Sequence, residues 1–551
     1  MPTGAQALIR TLVTSGVRTC FTNPGTSEMH FVAALDSVPE MRAVLALFEG
    51  VATGAADGYA RMAGAPAATL LHLGPGLGNG LANLHNARRA KTPVVNIVGD
   101  HATYHTQYDA QLQSDIETVA RNVSSWVRTS QKTSDLAGDA VEAVAAALGP
   151  PGQVATLVLP ADVSWSEGGQ PAGPPPAPAP ATASDETIQA VAEALRGRGR
   201  AALLLGGRAV REQGLLAAAR IAAATGAKLL CETFPARLER GAGLPALERI
   251  AYVPELAAVQ LDGLKHLILV DAKAPVSFFA YPGRKSYLVP DGCQVHELAS
   301  PGSNVAGTLE ALTEALAATD ASVSVQDAGR PEPAAGQLTA EMACQVIGAT
   351  LPEGAIVSDE SVTSGATLPL HTAGAPRHDW LTLTGGAIGQ GLPVAVGAAV
   401  ACPDRPVMAL QADGSAMYTI QSLWTMAREQ LDVTVVIFNN RSYSILNVEL
   451  ARVKASGAGP KAHSQLDLSG PDIDFVPVAE GLGVPAQRVE TGEQLTEAIR
   501  RAVNEPGPHL IEMVIAPAFS QRQMKAMPYA LRALGILPRP VATAIQRKLN
   551  P

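Results

Sequence analysis

Two polar residues stand just behind apolar runs in the last third of the chain. Asp413 follows Val407–Gln411 and Ala412, and Asn440 follows Val433–Phe438 and Asn439. If the runs are parallel strands joined by a helix, they lie side by side and both residues emerge at one sheet edge. A carboxylate, an amide oxygen and a backbone carbonyl two residues on, at Ser442, make half an octahedron of hard oxygen ligands. That set suits Mg²⁺, which takes few protein ligands and fills its shell with phosphate oxygens and water. Gly414 lets the backbone approach such an anion, and a helix starting near Ser415 and reaching about Gln430 would favour it with its N-terminus. Taken singly, Asp-Gly reads as a turn and Asn-Asn as a loop; the argument rests on their paired placement.

Two more ionisable groups have telling surroundings. Glu49 sits in Leu45-Ala46-Leu47-Phe48-Glu49-Gly50, ahead of a small-residue helix expected over Val51–Arg61. It reads either as a buried functional acid or as a first-turn acid interacting with the helix dipole. His72 follows an expected strand, Ala67–Leu71, and precedes Gly74-Pro75-Gly76-Leu77-Gly78. A histidine beside a glycine loop is often structural, but the carboxyl end of a strand is where open α/β sheets place their ligands. The loop is not G-x-G-x-x-G, which speaks against a nicotinamide site.

These residues need sheets to position them. Short β-branched runs alternate with Ala/Leu-rich stretches along the chain: Ala67–Leu73 and Val94–Val98, Ala201–Leu205 and His266–Val270, Val407–Gln411 and Val433–Phe438. The alternation predicts an α/β fold of three tandem parallel-sheet domains. The proline-rich Gly168–Pro180 and the polar, proline-bearing Thr319–Gly336 mark the boundaries, giving domains over 1–167, 181–318 and 337–518, with a tail over 519–551.

A length of 551 residues suits about three domains. The formal net charge of −9 lacks the basic footprint of a nucleic-acid surface, so a small-molecule partner is expected and no nucleic acid. Five scattered cysteines, none in C-x-x-C, offer neither a zinc site nor a disulfide framework. The first residues lack a signal-peptide pattern, and no apolar run reaches the ~18 residues of a membrane span. The expectation is a cytoplasmic protein without a membrane partner.

Ala412-Asp413-Gly414-Ser415…Asn439-Asn440 resembles the diphosphate motif G-D-G-S…N-N of thiamine-diphosphate-dependent enzymes, departing only in Ala412. The resemblance covers nearly the whole chain and is nearest to the group of benzoylformate decarboxylase, acetolactate synthase and pyruvate decarboxylase. The stretch Ala412–Asn440, with Ser422–Ala427 on its helix, and the later Leu468–Phe475 look most like benzoylformate decarboxylase. It implies pyrimidine, middle and pyrophosphate domains in that order. It also implies thiamine diphosphate and Mg²⁺ as cofactors, with Asp413, Gly414, Ser415 and Asn440 at the diphosphate and Asp413, Asn440 and Ser442 at the metal. Thiamine needs a carboxylic acid at N1′ of its aminopyrimidine and a bulky aliphatic side chain under its bend. The segment from Glu49 to Arg61 is similar to the family's stretch around its catalytic glutamate, and Gly385–Pro393 to its bend loop, placing Ile388 under the bend and the Gly386 carbonyl near the 4′-amino group. Because the family builds each site from two subunits, the resemblance implies a homo-oligomer, a dimer or a dimer of dimers.

Asn23-Pro24-Gly25-Thr26-Ser27-Glu28 resembles the substrate-side loop, with Thr26 where benzoylformate decarboxylase has serine, and His72 matches a histidine of that enzyme thought to handle protons. Gln113 resembles an acetolactate synthase glutamine. The second histidine of benzoylformate decarboxylase would fall near Phe279-Ala280-Tyr281, where there is none; the acid of pyruvate decarboxylase falls at Leu446 and the tryptophan of acetolactate synthase at Glu449. Glu449 then reads either as a replacement acid/base one helical turn beyond Leu446 or as a solvated helix charge. The expected activity is 2-oxo acid decarboxylation with carboligase side activity, on a 2-oxo acid or aldehyde. Acetolactate-synthase-type condensation and 2-hydroxyacyl-CoA lyase chemistry stay open, as does a non-catalytic thiamine-diphosphate-binding scaffold.

Overall fold

The computed structural model describes residues 1–516 apart from 178, 198 and 454–456, and beyond them 529, 531, 534, 537 and 539–549. Three sheets organise the chain. The first holds β1 (Thr19–Asn23), β2 (Arg42–Leu45), β3 (Ala67–His72), β4 (Val94–Asp100), β5 (Trp126–Thr129) and β6 (Val154–Pro160), in the order β2-β1-β3-β4-β6-β5. The second contains β7 (Ala201–Leu205), β8 (Lys228–Cys231), β10 (Glu248–Arg249), β11 (His266–Val270) and β12 (Gln294–Ala299), in the order β10-β8-β7-β11-β12. The third contains β13 (Ile356–Glu360), β14 (His378–Leu381), β15 (Val407–Ala412), β16 (Val433–Asn439), β17 (Ala486–Val489) and β18 (His509–Val514). All these pairings are parallel, and the strands read as continuous apolar runs because helices cover both faces; every residue of β16 is buried.

One strand departs from that scheme. β9 (Leu238–Arg240), from the middle stretch of the chain, pairs antiparallel with β14 at the edge of the third sheet. The helix expected from Ser415 to about Gln430 is two shorter ones, Asp413–Ala416 and Ser422–Arg428. Between them the Thr419 hydroxyl donates to the Gly389 carbonyl at 3.0 Å, a tertiary bond that overrides local helix propensity. Residues 168–177 and 321–335 form neither helix nor strand. Of the tail expected from 519, most lies outside the described residues; its helix Arg539–Leu549 packs on Pro254–Leu261.

The first and third sheets share one core. Helix Gly391–Ala401, buried at every position but the last, lies against helix Glu49–Ala63. Their backbones touch: a Cβ on Gly58 would collide with the Val394 carbonyl, and one on Gly397 with that of Ala55. That contact brings the start of one helix, bearing Glu49, beside the loop that precedes the other. Among the described residues no helix is long and apolar enough to cross a membrane.

Candidate active site

The pairing of β15 with β16, Ala412 opposite Phe438, carries Asp413 and Asn440 to one edge of the third sheet. Asp413 is buried; its Oδ1 accepts from the Gly414 N–H at 2.8 Å, while Oδ2 has no hydrogen-bond partner. Burial pushes its carboxyl above the ordinary aspartate range, opposed by the N–H groups of Gly414 and of residues 440–442. Asn440 donates to the Ser364 hydroxyl at 3.1 Å and accepts the Ser442 N–H on Oδ1 at 3.0 Å; the Ser442 carbonyl accepts from Ser444 N–H. Each carbonyl oxygen keeps a second lone pair, so all three groups stay competent for a cation. Gly414 lies under the Tyr443 ring, where a Cβ would collide, and Ser415 is buried. A buried carboxylate oxygen without a donor, in a hard-oxygen set, fits a divalent cation better than an empty cavity. Among the described residues no group of three or more His, Cys, Asp or Glu side chains is placed to hold a metal. The one-carboxylate arrangement here is of a different kind.

Loop 385–391 enters from the end of β14. Gly386 and Gly389 take φ of +73° and +96°, conformations that glycine adopts without strain. Loop and first domain are stitched together: Asn86 Nδ2 donates to the Ala387 carbonyl at 2.8 Å and its Oδ1 accepts the Ala387 N–H at 3.2 Å. Asn83 Nδ2 donates both to Gly50 O (2.8 Å) and to Gly389 O (3.1 Å), so the helix start at Glu49 and the loop carrying Ile388 meet within one chain. Phe278 covers Gly386 on one side and Tyr418 covers Gly389 on the other.

At the carboxyl edge of the first sheet, Glu49 is buried with its Oε2 accepting from Asn79 Nδ2 at 3.0 Å and its Oε1 beside Gly76. His72 is the last residue of β3 rather than the first beyond it. Its Nδ1 lies 2.8 Å from Oε2 of Glu28, a wholly buried acid that also accepts the Gly25 N–H (2.7 Å) and the Ser27 hydroxyl (2.6 Å). A carboxylate on Nδ1 fixes the imidazole and its tautomer, leaving Nε2 as the atom that exchanges a proton. Thr26 is exposed at the rim of this loop. Gln113 has its side-chain carbonyl buried without a partner, in a segment whose next residue, Ser114, packs on Gly74 just after His72.

Glu449 has a different neighbourhood from the one expected for a cofactor-facing acid. Its Oε1 pairs with Arg452 Nη1 at 3.0 Å and accepts the Tyr252 hydroxyl at 3.4 Å. Arg452 is buried and also engages Glu255 at 3.0 Å and the Tyr281 hydroxyl at 3.0 Å. A buried guanidinium requires counter-charges, and Glu449 is one of them, turned toward the middle domain. Leu446, one turn earlier, is 44% exposed.

Glu28, Asn79, Asn83, Asn86 and Glu360 escaped the sequence reading. Glu28 ends the quoted Asn23–Glu28 motif and so carried a signal, whereas Glu360 follows the polar pair Ser358-Asp359 and carried little. The three asparagines lie inside helix Leu73–Ala90 and carried none.

The chain matches the family descriptions "thiamine pyrophosphate enzyme, N-terminal TPP binding domain" over residues 2–121 and "C-terminal TPP binding domain" over 363–513. It is 62% identical over 513 residues to a Mycobacterium tuberculosis protein provisionally named as acetolactate synthase large subunit IlvX, covering 93% of this chain and 99% of that one. It is 28% identical to benzoylformate decarboxylase of Pseudomonas aeruginosa, over 90% of this chain and 96% of the relative. Among solved structures, the thiamine diphosphate-dependent 4-hydroxybenzoylformate decarboxylase of Rhodococcus jostii RHA1 superposes with a TM-score of 0.80 at 25% identity, over 94% of this chain and 99% of the other.

Proposed function

This chain belongs to the thiamine pyrophosphate enzyme family, and from that premise we propose that it decarboxylates a 2-oxo acid with thiamine diphosphate and Mg²⁺, with carbon–carbon ligation as a side activity. That it is a thiamine-diphosphate-dependent enzyme follows from its membership. The reading assigns 1–167 to the pyrimidine, 181–318 to the middle and 337–518 to the pyrophosphate domain. Bound thiamine diphosphate supplies a nucleophilic carbon and an electron sink beside the substrate carbonyl. Asp413 and Asn440, with the Ser442 carbonyl, would hold the cation that anchors the diphosphate, and Gly414 and Ser415 would line its approach. Ile388 and the Gly386 carbonyl would support the bent cofactor, and Glu49, kept in place by Asn79, would offer its carboxyl to the aminopyrimidine.

The observation that carries the decarboxylase reading is the Glu28–His72 pair. Loss of CO₂ leaves a carbon that must be protonated before an aldehyde departs, and a general acid contributes typically 10²–10⁴-fold to such a step. His72 Nε2 delivers that proton, while Thr26 and Gln113 border the substrate. Glu449, tied to Arg452, serves substrate selection through the middle domain. Leu47 beside Glu49 and Met417, Tyr418 and Leu446 around the Asp413 side are large exposed apolar residues, which supports a homo-oligomer whose subunits cover both edges.

A condensing enzyme is the second reading, favoured by the name of the 62%-identical relative. Incubation with a panel of 2-oxo acids, alone and in pairs, followed by CO₂ release and product mass, separates them. An aldehyde with one CO₂ per 2-oxo acid supports decarboxylation; a 2-hydroxy-3-oxo acid with one CO₂ per two 2-oxo acids, and no free aldehyde, gives way to the second reading; neither product from any substrate overturns both.

A further inference from the structure

We infer that Glu360 is the positioning residue that holds loop 385–391 in register with the Asp413 turn, an inference that rests on the cofactor site proposed above. Glu360 ends β13, which lies between β14 and β15 in the third sheet. The loop leaves from β14 and the Asp413 turn from β15, so Glu360 stands between the two segments that the reading assigns to the cofactor. Its side chain is buried, and it bonds to both. Oε1 accepts the N–H of Gly389 at 2.8 Å and of Gln390 at 3.4 Å; Oε2 accepts the N–H of Gly391 at 2.7 Å and Gln411 Nε2 at 2.7 Å. Gln411 is two residues ahead of Asp413.

Burial raises the Glu360 carboxyl above the ordinary glutamate range, and the four neutral donors, all turned toward its oxygens, oppose that rise and meet the carboxylate by hydrogen bonds, without a cation. Such bonds to an ionised acceptor are roughly twice as strong as neutral ones. The geometry demands an acceptor on every side: an amide at this position would turn an N–H₂ toward N–H donors and leave at least one of them unpaired in the core. The loop needs that hold, because Gly386 and Gly389 are in left-handed conformations and impose no shape of their own. The remaining polar group of the loop, the Gln390 side chain, is occupied elsewhere, donating to Thr382 O at 2.8 Å and accepting from Arg61 Nη2 at 3.2 Å. Gly391 completes the fit, since a Cβ there would collide with Gln411 and crowd Glu360. Buried behind the loop, Glu360 touches neither cofactor nor substrate and acts through Ile388 and Asp413.

The test is Glu360→Gln, with Gln411→Met as a milder variant that removes one donor while nearly keeping the volume. In the apoprotein, hydrogen–deuterium exchange of the amides of residues 389–391 should rise about tenfold in Glu360→Gln, as expected for one lost buried bond. It should rise by a smaller factor in Gln411→Met. In titrations at fixed Mg²⁺, half-saturation by thiamine diphosphate should rise about 10–100-fold, with overall secondary structure by circular dichroism unchanged. Unchanged exchange and unchanged half-saturation in both variants would overturn the inference. If Glu360→Gln does not fold, Gln411→Met decides alone by the same two readouts. If the wild type takes up no thiamine diphosphate, the cofactor reading is lost, and the exchange of 389–391 still decides whether Glu360 holds the loop.

Discussion

Asp413 and Asp271 occupy the same kind of place and meet opposite fates. Each stands directly after a buried parallel strand, β15 or β11, at the carboxyl edge of its sheet. The place of Asp271 is the one where an open sheet ordinarily takes a ligand: β7 lies between β8 and β11, so the chain reverses direction there, at the switch point. Yet both its oxygens are spoken for. Oδ1 pairs with Lys91 Nζ from the first domain at 3.2 Å, and Oδ2 accepts the Arg208 N–H at 2.9 Å. Asp413 Oδ2 accepts no hydrogen bond. Residue type and position after a strand therefore do not decide ligand capacity; the decisive quantity is whether the acid's oxygens are already satisfied by the protein.

Asp413→Ala tests the open side of the comparison most severely. Changing an outer partner of a metal ligand typically costs 10–100-fold in affinity, so loss of the carboxylate itself should lower thiamine diphosphate and Mg²⁺ affinity by more than about 100-fold. Isothermal titration reads it, and retained tight binding at low Mg²⁺ would remove Asp413 from the site. His72→Ala comes next. With the best substrate found, turnover should fall about tenfold or more while cofactor affinity holds, because the lost group is a proton donor and not a ligand. Equal losses in turnover and affinity would make His72 a structural residue held by Glu28.

The strands that position these groups were legible because parallel strands buried on both faces read as continuous apolar runs; β7 and β11 begin and end where the pattern puts them. The Asp413–Asn440 pair was legible for the same reason, each following such a run. What stayed hidden depends on atoms meeting across domains. Glu449 and Arg452 stand three apart on one helix, a spacing visible in the sequence, but nothing near them announces Glu255 or Tyr281, which meet Arg452 from the middle domain and are seen only in the fold. The Asn83 and Asn86 bonds to loop 385–391 join residues some three hundred positions apart, beyond any local pattern. The broken helix after Asp413 has the same origin in the Thr419 bond to Gly389.

Asp271→Ala probes the closed side. Lys91 loses its partner and the Arg208 N–H is left without an acceptor, a cost of about 1–3 kcal/mol. The melting temperature should fall by a few degrees, with thiamine diphosphate affinity unchanged from wild type. A parallel drop in affinity would show that the middle sheet feeds the cofactor site, and the two edges would no longer be independent.

The effect confined to the narrowest range of conditions comes from Glu232, which follows β8 and lies with its carboxylate against Gly206, beside Asp271. Burial raises its carboxyl from the ordinary 4.5 to about 7, the nearby Lys91 charge opposing and the Asp271 charge reinforcing the rise. The sign follows from proton linkage. A group whose pKa is higher in the folded than in the unfolded chain takes up a proton on folding, so its stabilisation is complete below about pH 4.5 and is lost as pH climbs through about 7. Glu232→Gln cannot ionise and keeps the neutral form at every pH. The variant and the wild type should therefore melt together near pH 5, and by pH 8 the variant should be the more stable by on the order of 1–3 kcal/mol, the partial exposure of the side chain tempering the full shift. Melting temperatures across that range read the difference. A gap that stays constant from pH 5 to pH 8 would mean that Glu232 is ionised throughout, with Lys91 shared between two carboxylates, and the closed crevice would then be held by charge rather than by burial.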